Sequence, residues 1–198
     1  MRDFVIGLDM DRVIFDTNQY VKDIESELLS RKTSLKKIFK KGSGRKDIGI
    51  LFRELSTLFG KKDAELILFG RLNKYVDEEI RDFAIYLISN GAKVMVISVG
   101  DKYQGMKIVG FPCSEIILVS SDFEKVEKAV LKGVNVFVDD KASVVEEMKK
   151  RGIEAFQALW FLDKEHQKEV TKEALTEVSG FKTLAINLLN KHFKSDCD

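Results

Sequence analysis

"FVIGLDMDRVIFDT", residues 4–17, begins as an apolar run and then places two carboxylates, Asp9 and Asp11, one residue apart. So dense a run of Val, Ile, Leu and Phe reads as a strand covered on both faces. An unpaired charge is costly to bury, so a pair of charges where such a strand leaves the core points to chemistry rather than packing.

Four later stretches have the same character: AKVMVIS (92–98), SEIILVS (114–120), VNVFVDD (134–140) and IEAFQALW (153–160). Helical patterns lie between them, a short piece after Gly100 and then 122–133 and 141–152, the last two ending in Gly. This alternation predicts a doubly wound parallel α/β sheet, in which right-handed crossovers put helices on both faces and ligands bind at the carboxyl ends of the strands. More than eighty residues separate the first strand from the second. Helical spacing at 18–30, 32–41, 45–59 and 62–75 predicts a small all-helical insertion, and 77–90 leads back into the sheet. The expected organisation is therefore an α/β core of 1–16 and 77–163, a helical cap at 17–76 above the strand ends, and amphipathic C-terminal helices over 164–198.

The 198 residues are 44% hydrophobic, enough for one full core with an elaboration. Charged residues make up 33% yet nearly cancel to +1, so attraction to an anion must come from local clustering. The two cysteines, Cys113 and Cys197, lack metal-ligand spacing and read as reduced thiols. No stretch approaches the roughly 18 apolar residues of a membrane span, and the expected location is cytoplasmic.

The carboxyl ends of the predicted strands bring together Asp9 and Asp11, Ser98, Ser120 and Ser121, and Asp139 and Asp140. Carboxylates converging on one edge raise one another's pKa unless a cation sits among them. Oxygen donors without His or Cys suit Mg²⁺.

Taken in order, DMDRVIFDT, VMVIS and VFVDD resemble the first, second and fourth motifs of the haloacid dehalogenase superfamily, and the cap follows the first motif as in many members. The third motif, a lysine, matches Lys125 or Lys128. Lys125 is preferred because it lies in the first turn of its helix, nearest the strand edge. By this resemblance Asp9 is a nucleophile forming an aspartyl-phosphate, and Asp11 is the general acid and then the base. Ser98, with Val99 after it, and Lys125 contact the phosphoryl group. Asp139 and Asp140 hold Mg²⁺ with Asp9 and the backbone carbonyl of Asp11. An acid at Asp11 resembles the phosphatase or phosphomutase branch rather than the carbon–halogen-cleaving members. LDMD and VDDK further resemble 5′-nucleotidases of deoxyribonucleotides. Arg12 departs from the glycine usual there, and implies either a contact with an anionic substrate or a rebuilt pocket.

The resemblance implies a Mg²⁺-dependent phosphomonoesterase acting on a small organic phosphate, with a nucleoside monophosphate as one substrate class. A phosphomutase is an alternative. Another is a non-catalytic member binding nucleic acid or a protein through RKTSLKKIFKKGSGRK (31–46), which carries eight Lys or Arg and no acid. A solvated helix face accounts for that run more simply, since its one aromatic, Phe39, suits a helix core. His166 and His192 stand alone and read as surface residues. Trp160 and Phe161 read as packing against the C-terminal helices, with stacking on a substrate base as the alternative.

Overall fold

The computed structural model describes residues 3–30, 48–70, 72–100, 102–161, 170–172 and 174–195. Its centre is a parallel sheet in the order β3-β2-β1-β4-β5-β6, built from β1 (Val5–Leu8), β2 (Lys93–Val99), β3 (Glu115–Val119), β4 (Val136–Asp139), β5 (Glu154–Ala158) and β6 (Ala174–Leu175). The chain order reverses beside β1, which pairs with β2 on one side and β4 on the other. That switch point is where a doubly wound sheet opens a crevice at its strand ends.

Between β1 and β2 run α1 (Thr17–Ser30), α2 (Ile48–Phe59), α3 (Lys61–Phe69), a 3₁₀ turn (Leu72–Tyr75) and α4 (Glu78–Ser89). The chain leaves and re-enters the sheet side by side. Phe15 and Val76 form an antiparallel bridge, Asp16 N–H donates to the Tyr75 carbonyl and Asp77 N–H to that of Ile14. Two caps fix this junction, because the Asp16 carboxylate accepts from Gln19 N–H at 2.9 Å and that of Asp77 from Ile80 N–H at 2.8 Å. After β2 come α5 (Lys102–Gly105) and a 3₁₀ turn (Met106–Ile108). Then α6 (Asp122–Leu131), α7 (Ala142–Lys150) and α8 (Val178–Ser195) complete the layers.

The strand period of two divides the core. Ile6, Leu8, Val94 and Val96 face α4, α8 and the inserted helices; Val5, Met95, Ile97 and Phe137 face α6 and α7. Gly7 lies on the second face, where a Cβ would come within 2.4 Å of the Phe137 ring. Phe52, Leu55, Leu68 and Tyr75 of the inserted segment belong to the same apolar cluster as Ile6 and Leu8.

Three expectations need correction. The sheet has six strands: Ala174–Leu175, within a stretch read as helical, pairs with Gln157 and Ala158. There the open edge of β5 offers ladder partners that override local propensity. The helix expected at 62–75 stops at Phe69, where Gly70 follows, and resumes as a 3₁₀ turn. His192 is half-buried rather than a surface residue, its ring 5.2 Å from that of Phe4. Cys113 is unbridged. The basic run 31–46, His166 and Cys197 lie outside the described residues. No described helix is long and apolar enough to cross a membrane.

Candidate active site

Pairing of Leu8 with Val138, extended by Asp9 N–H donating to the Val138 carbonyl at 2.8 Å, sets Asp9 beside Asp139 at the ends of adjacent strands. Alternation turns both side chains to the face carrying Val5 and Phe137, which α6 covers. Ser121 caps α6 by accepting from Glu124 N–H at 3.2 Å, so Lys125 falls one turn in, above the strand ends. Its side chain is 1% exposed, and its ammonium stands 2.7 Å from Asp139 Oδ2 and 3.0 Å from Asp9 Oδ1. Lys128, the other lysine considered, sits in the last turn of α6 and is half-buried. Ser120 also serves the cap, bonding Glu124, and it is exposed.

Burial pushes the Asp9 carboxyl above its usual range; Lys125 opposes this, Asp139 and Asp11 reinforce it, and a hydrogen bond from Ser98 opposes it. Asp139 is raised in the same way, by burial first, against Lys125. The two carboxylates hold Lys125 charged, its pKa raised although burial favours the neutral amine. Ser98 is buried at the end of β2, and Val99 follows it half-buried.

Asp11 differs from Asp9. Burial pushes its carboxyl up, but the Lys107 ammonium and hydrogen bonds from Lys107 and Thr17 outweigh this and hold it below the usual carboxylate range. Both donors reach Oδ1 at 2.6 Å. Lys107 is itself buried, its ammonium 5.2 Å from the Phe15 ring centre and 5.8 Å from that of Tyr20. Neither Lys107 nor Thr17 was anticipated from the sequence. Thr17 could have been noticed as a hydroxyl opening α1 close to Asp11, but Lys107, one of two lysines in GDKYQGMK (100–107), carries no comparable signal.

Oxygen atoms of Asp9, Asp139 and Asp140 lie within 4.8 Å of one another, all three residues buried. A buried all-carboxylate set with upward-shifted Asp9 and Asp139 fits a hard divalent cation such as Mg²⁺. The Asp11 carboxylate is turned to Lys107 and is not part of this cluster. Asp140 Oδ2 instead meets the Arg12 guanidinium at 3.0 Å, and Gln157 Nε2 donates to the Asp140 carbonyl at 3.1 Å. Arg12 Nε also donates to Asn18 Oδ1 at 3.2 Å, and Asn18 Nδ2 to the Phe161 carbonyl at 2.7 Å. Trp160 packs on Phe181 of α8 and donates to the Val13 carbonyl, which places it as a structural ring.

No protein-family model and no curated protein matches the chain. Solved structures do. A haloacid dehalogenase-like family hydrolase from Xanthomonas campestris superposes with a TM-score of 0.54 at 15% identity, over 96% of this chain and 97% of that one. A HAD family enzyme from Bacteroides thetaiotaomicron, in complex with magnesium and inorganic phosphate, gives 0.53 at 11% identity, over 85% and 100%. A 2-haloacid dehalogenase from Pseudomonas syringae gives 0.55 at 9% identity, over 94% and 100%. With its strand order, its helices on both faces and the helical insertion after β1, the chain has the haloacid dehalogenase-like α/β fold.

Proposed function

We propose that the chain is a Mg²⁺-dependent hydrolase of phosphomonoesters that works through an aspartyl-phosphate on Asp9. The observation that carries this reading is the contrast between two carboxylates of one turn: Asp9 faces Lys125 and Ser98, while Asp11 faces Lys107 and Thr17. A nucleophile and a separate proton-handling group are what two-step phosphoryl transfer requires.

In the first step an Asp9 carboxylate oxygen bonds to phosphorus and the ester P–O bond breaks. In this reading Lys125 and Ser98 hold the phosphoryl oxygens and offset their charge, so most of the catalysis is positioning and electrostatics. The proton for the leaving oxygen is delivered by way of Asp11, whose Oδ1 accepts from the Lys107 ammonium at 2.6 Å, so that the two act as one proton-handling pair. In the second step water attacks phosphorus and gives its proton to the Asp11–Lys107 pair, the bond between phosphorus and the Asp9 carboxylate oxygen breaks, and inorganic phosphate leaves, restoring Asp9. Asp9, Asp139 and Asp140, with the Asp11 backbone carbonyl, would hold Mg²⁺; when bound, the ion screens the negative charge gathered there. An acid at Asp11 favours this reading over carbon–halogen cleavage, which needs no proton on its leaving group.

The test is release of inorganic phosphate from a panel of phosphomonoesters that includes 5′- and 3′-deoxynucleotides, with Mg²⁺ or EDTA. Turnover is expected to need the metal and to vanish in Asp9→Asn. Folded, Mg²⁺-binding protein that turns over nothing on the panel would overturn the hydrolase reading in favour of a binding protein.

A further inference from the structure

Arg12 is the one described non-glycine residue with a left-handed backbone, at φ 61°. For a residue with a Cβ that conformation is strained, because the Cβ crowds the following carbonyl oxygen. The sequence nevertheless places the longest cationic side chain there and buries it, 11% exposed, against Asp140. Asn18, at the start of α1, grips the guanidinium from the other side and is itself tied to the Phe161 carbonyl. This is a built position: Asn18, six residues on, and Asp140, 128 residues away, together hold the guanidinium against the Asp9–Asp139–Asp140 cluster.

We infer that Arg12 is a resident counter-ion of the metal-binding carboxylates and sets how weakly the site holds its divalent cation. The inference rests on the metal reading above. With Lys125 already on Asp9 and Asp139, Arg12 supplies a second positive charge to three carboxylates. A dication entering the cluster must displace the guanidinium from Asp140 or bind close beside it. Both routes work against binding, by loss of a charge-assisted hydrogen bond or by repulsion between like charges in a buried setting. A glycine at this position would relieve the backbone strain and leave Asp140 to the metal. Arg12 therefore makes occupancy of the site follow the surrounding Mg²⁺ concentration rather than saturate at low levels.

The experiment is calorimetric titration of the full chain with MgCl₂, comparing wild type, Arg12→Gly, Arg12→Gln, Arg12→Lys and Asp139→Asn, with near-UV circular dichroism confirming that each is folded. Arg12→Gly and Arg12→Gln are expected to bind Mg²⁺ about tenfold more tightly, the scale of one charge-assisted contact, whereas Arg12→Lys stays near wild type. Arg12→Gln retains the Cβ, so its gain reports charge rather than backbone relief. Unchanged affinity in both neutral variants, with binding lost in Asp139→Asn, would overturn the role of Arg12 while leaving the metal site standing. Absence of Mg²⁺ binding in wild type and in both neutral variants would overturn the metal reading and this inference with it.

Discussion

Asp9 and Asp11 come from one turn, and their surroundings drive their carboxyl groups in opposite directions, Asp9 up by burial and Asp11 down through Lys107 and Thr17. If Lys107 carries the leaving-group proton, its removal should matter most where that proton is needed. Lys107→Met is expected to lower kcat about 100-fold on alkyl phosphates, within the range of general acid–base catalysis, and much less on p-nitrophenyl phosphate, whose phenolate leaves unaided. Equal losses on both substrates would remove Lys107 from the proton path. The metal should also couple to pH with a definite sign. Without an ion Asp9 and Asp139 titrate above the usual carboxylate range, and a bound dication favours their ionised forms, so binding releases protons. Mg²⁺ affinity is therefore expected to fall as pH drops from 7 toward 5, with proton release visible by titration in two buffers of different ionisation enthalpy.

At the level of elements, β1 sets the site because its register against β4 aligns the two acidic strand ends, and Gly7 permits that register to close. A Cβ at Gly7 would meet the Phe137 ring at 2.4 Å, so Gly7→Ala is expected to lose about 1–3 kcal/mol of stability, read as a lower denaturant midpoint with unchanged slope. The α6 cap acts on the site from the other side: Ser121→Ala should cost about 1 kcal/mol and loosen Lys125 over Asp9, raising KM for the phosphoester as stability falls. These strands and their polar ends were legible because an apolar run and the residue that ends it are adjacent in sequence. The position of Lys125 followed from counting one turn into a helix. Lys107 and the Asn18 bridge were not legible, since Lys107 reaches the site through a crossover and Asn18 ties Arg12 to the Phe161 carbonyl 143 residues away, contacts that only the packed molecule brings about. Arg12 was visible as a departure from the family pattern, but its partner Asp140 is 128 residues away and only the fold brings them together. The sixth strand was missed for the same reason, its partner being the β5 edge rather than its own sequence.

For the whole molecule, the question is whether the inserted helices behave as a separate body. Among the described residues their apolar side chains do not form a core of their own: Leu55 and Leu68 lie in one continuous cluster with Ile6, Leu8 and Val94 of the sheet and Phe181 of α8. A segment that buries its apolar face against the sheet, and is pinned at the Phe15–Val76 bridge, gains little from folding before the sheet does. Equilibrium unfolding is therefore expected to be a single transition. The sole tryptophan gives an independent probe, because Trp160 packs on Phe181 at the end of the molecule formed by β5 and α8, while far-UV circular dichroism is dominated by helices including the inserted ones. The two signals should share one midpoint. Leu68→Ala, which removes a fully buried side chain from α3, should lower that shared midpoint by about 2–5 kcal/mol of stability without separating the curves. If the dichroism of Leu68→Ala instead fell first while Trp160 emission stayed native, the inserted helices would be an independent cooperative unit, and the junction at residues 15–16 and 76–77 a true hinge.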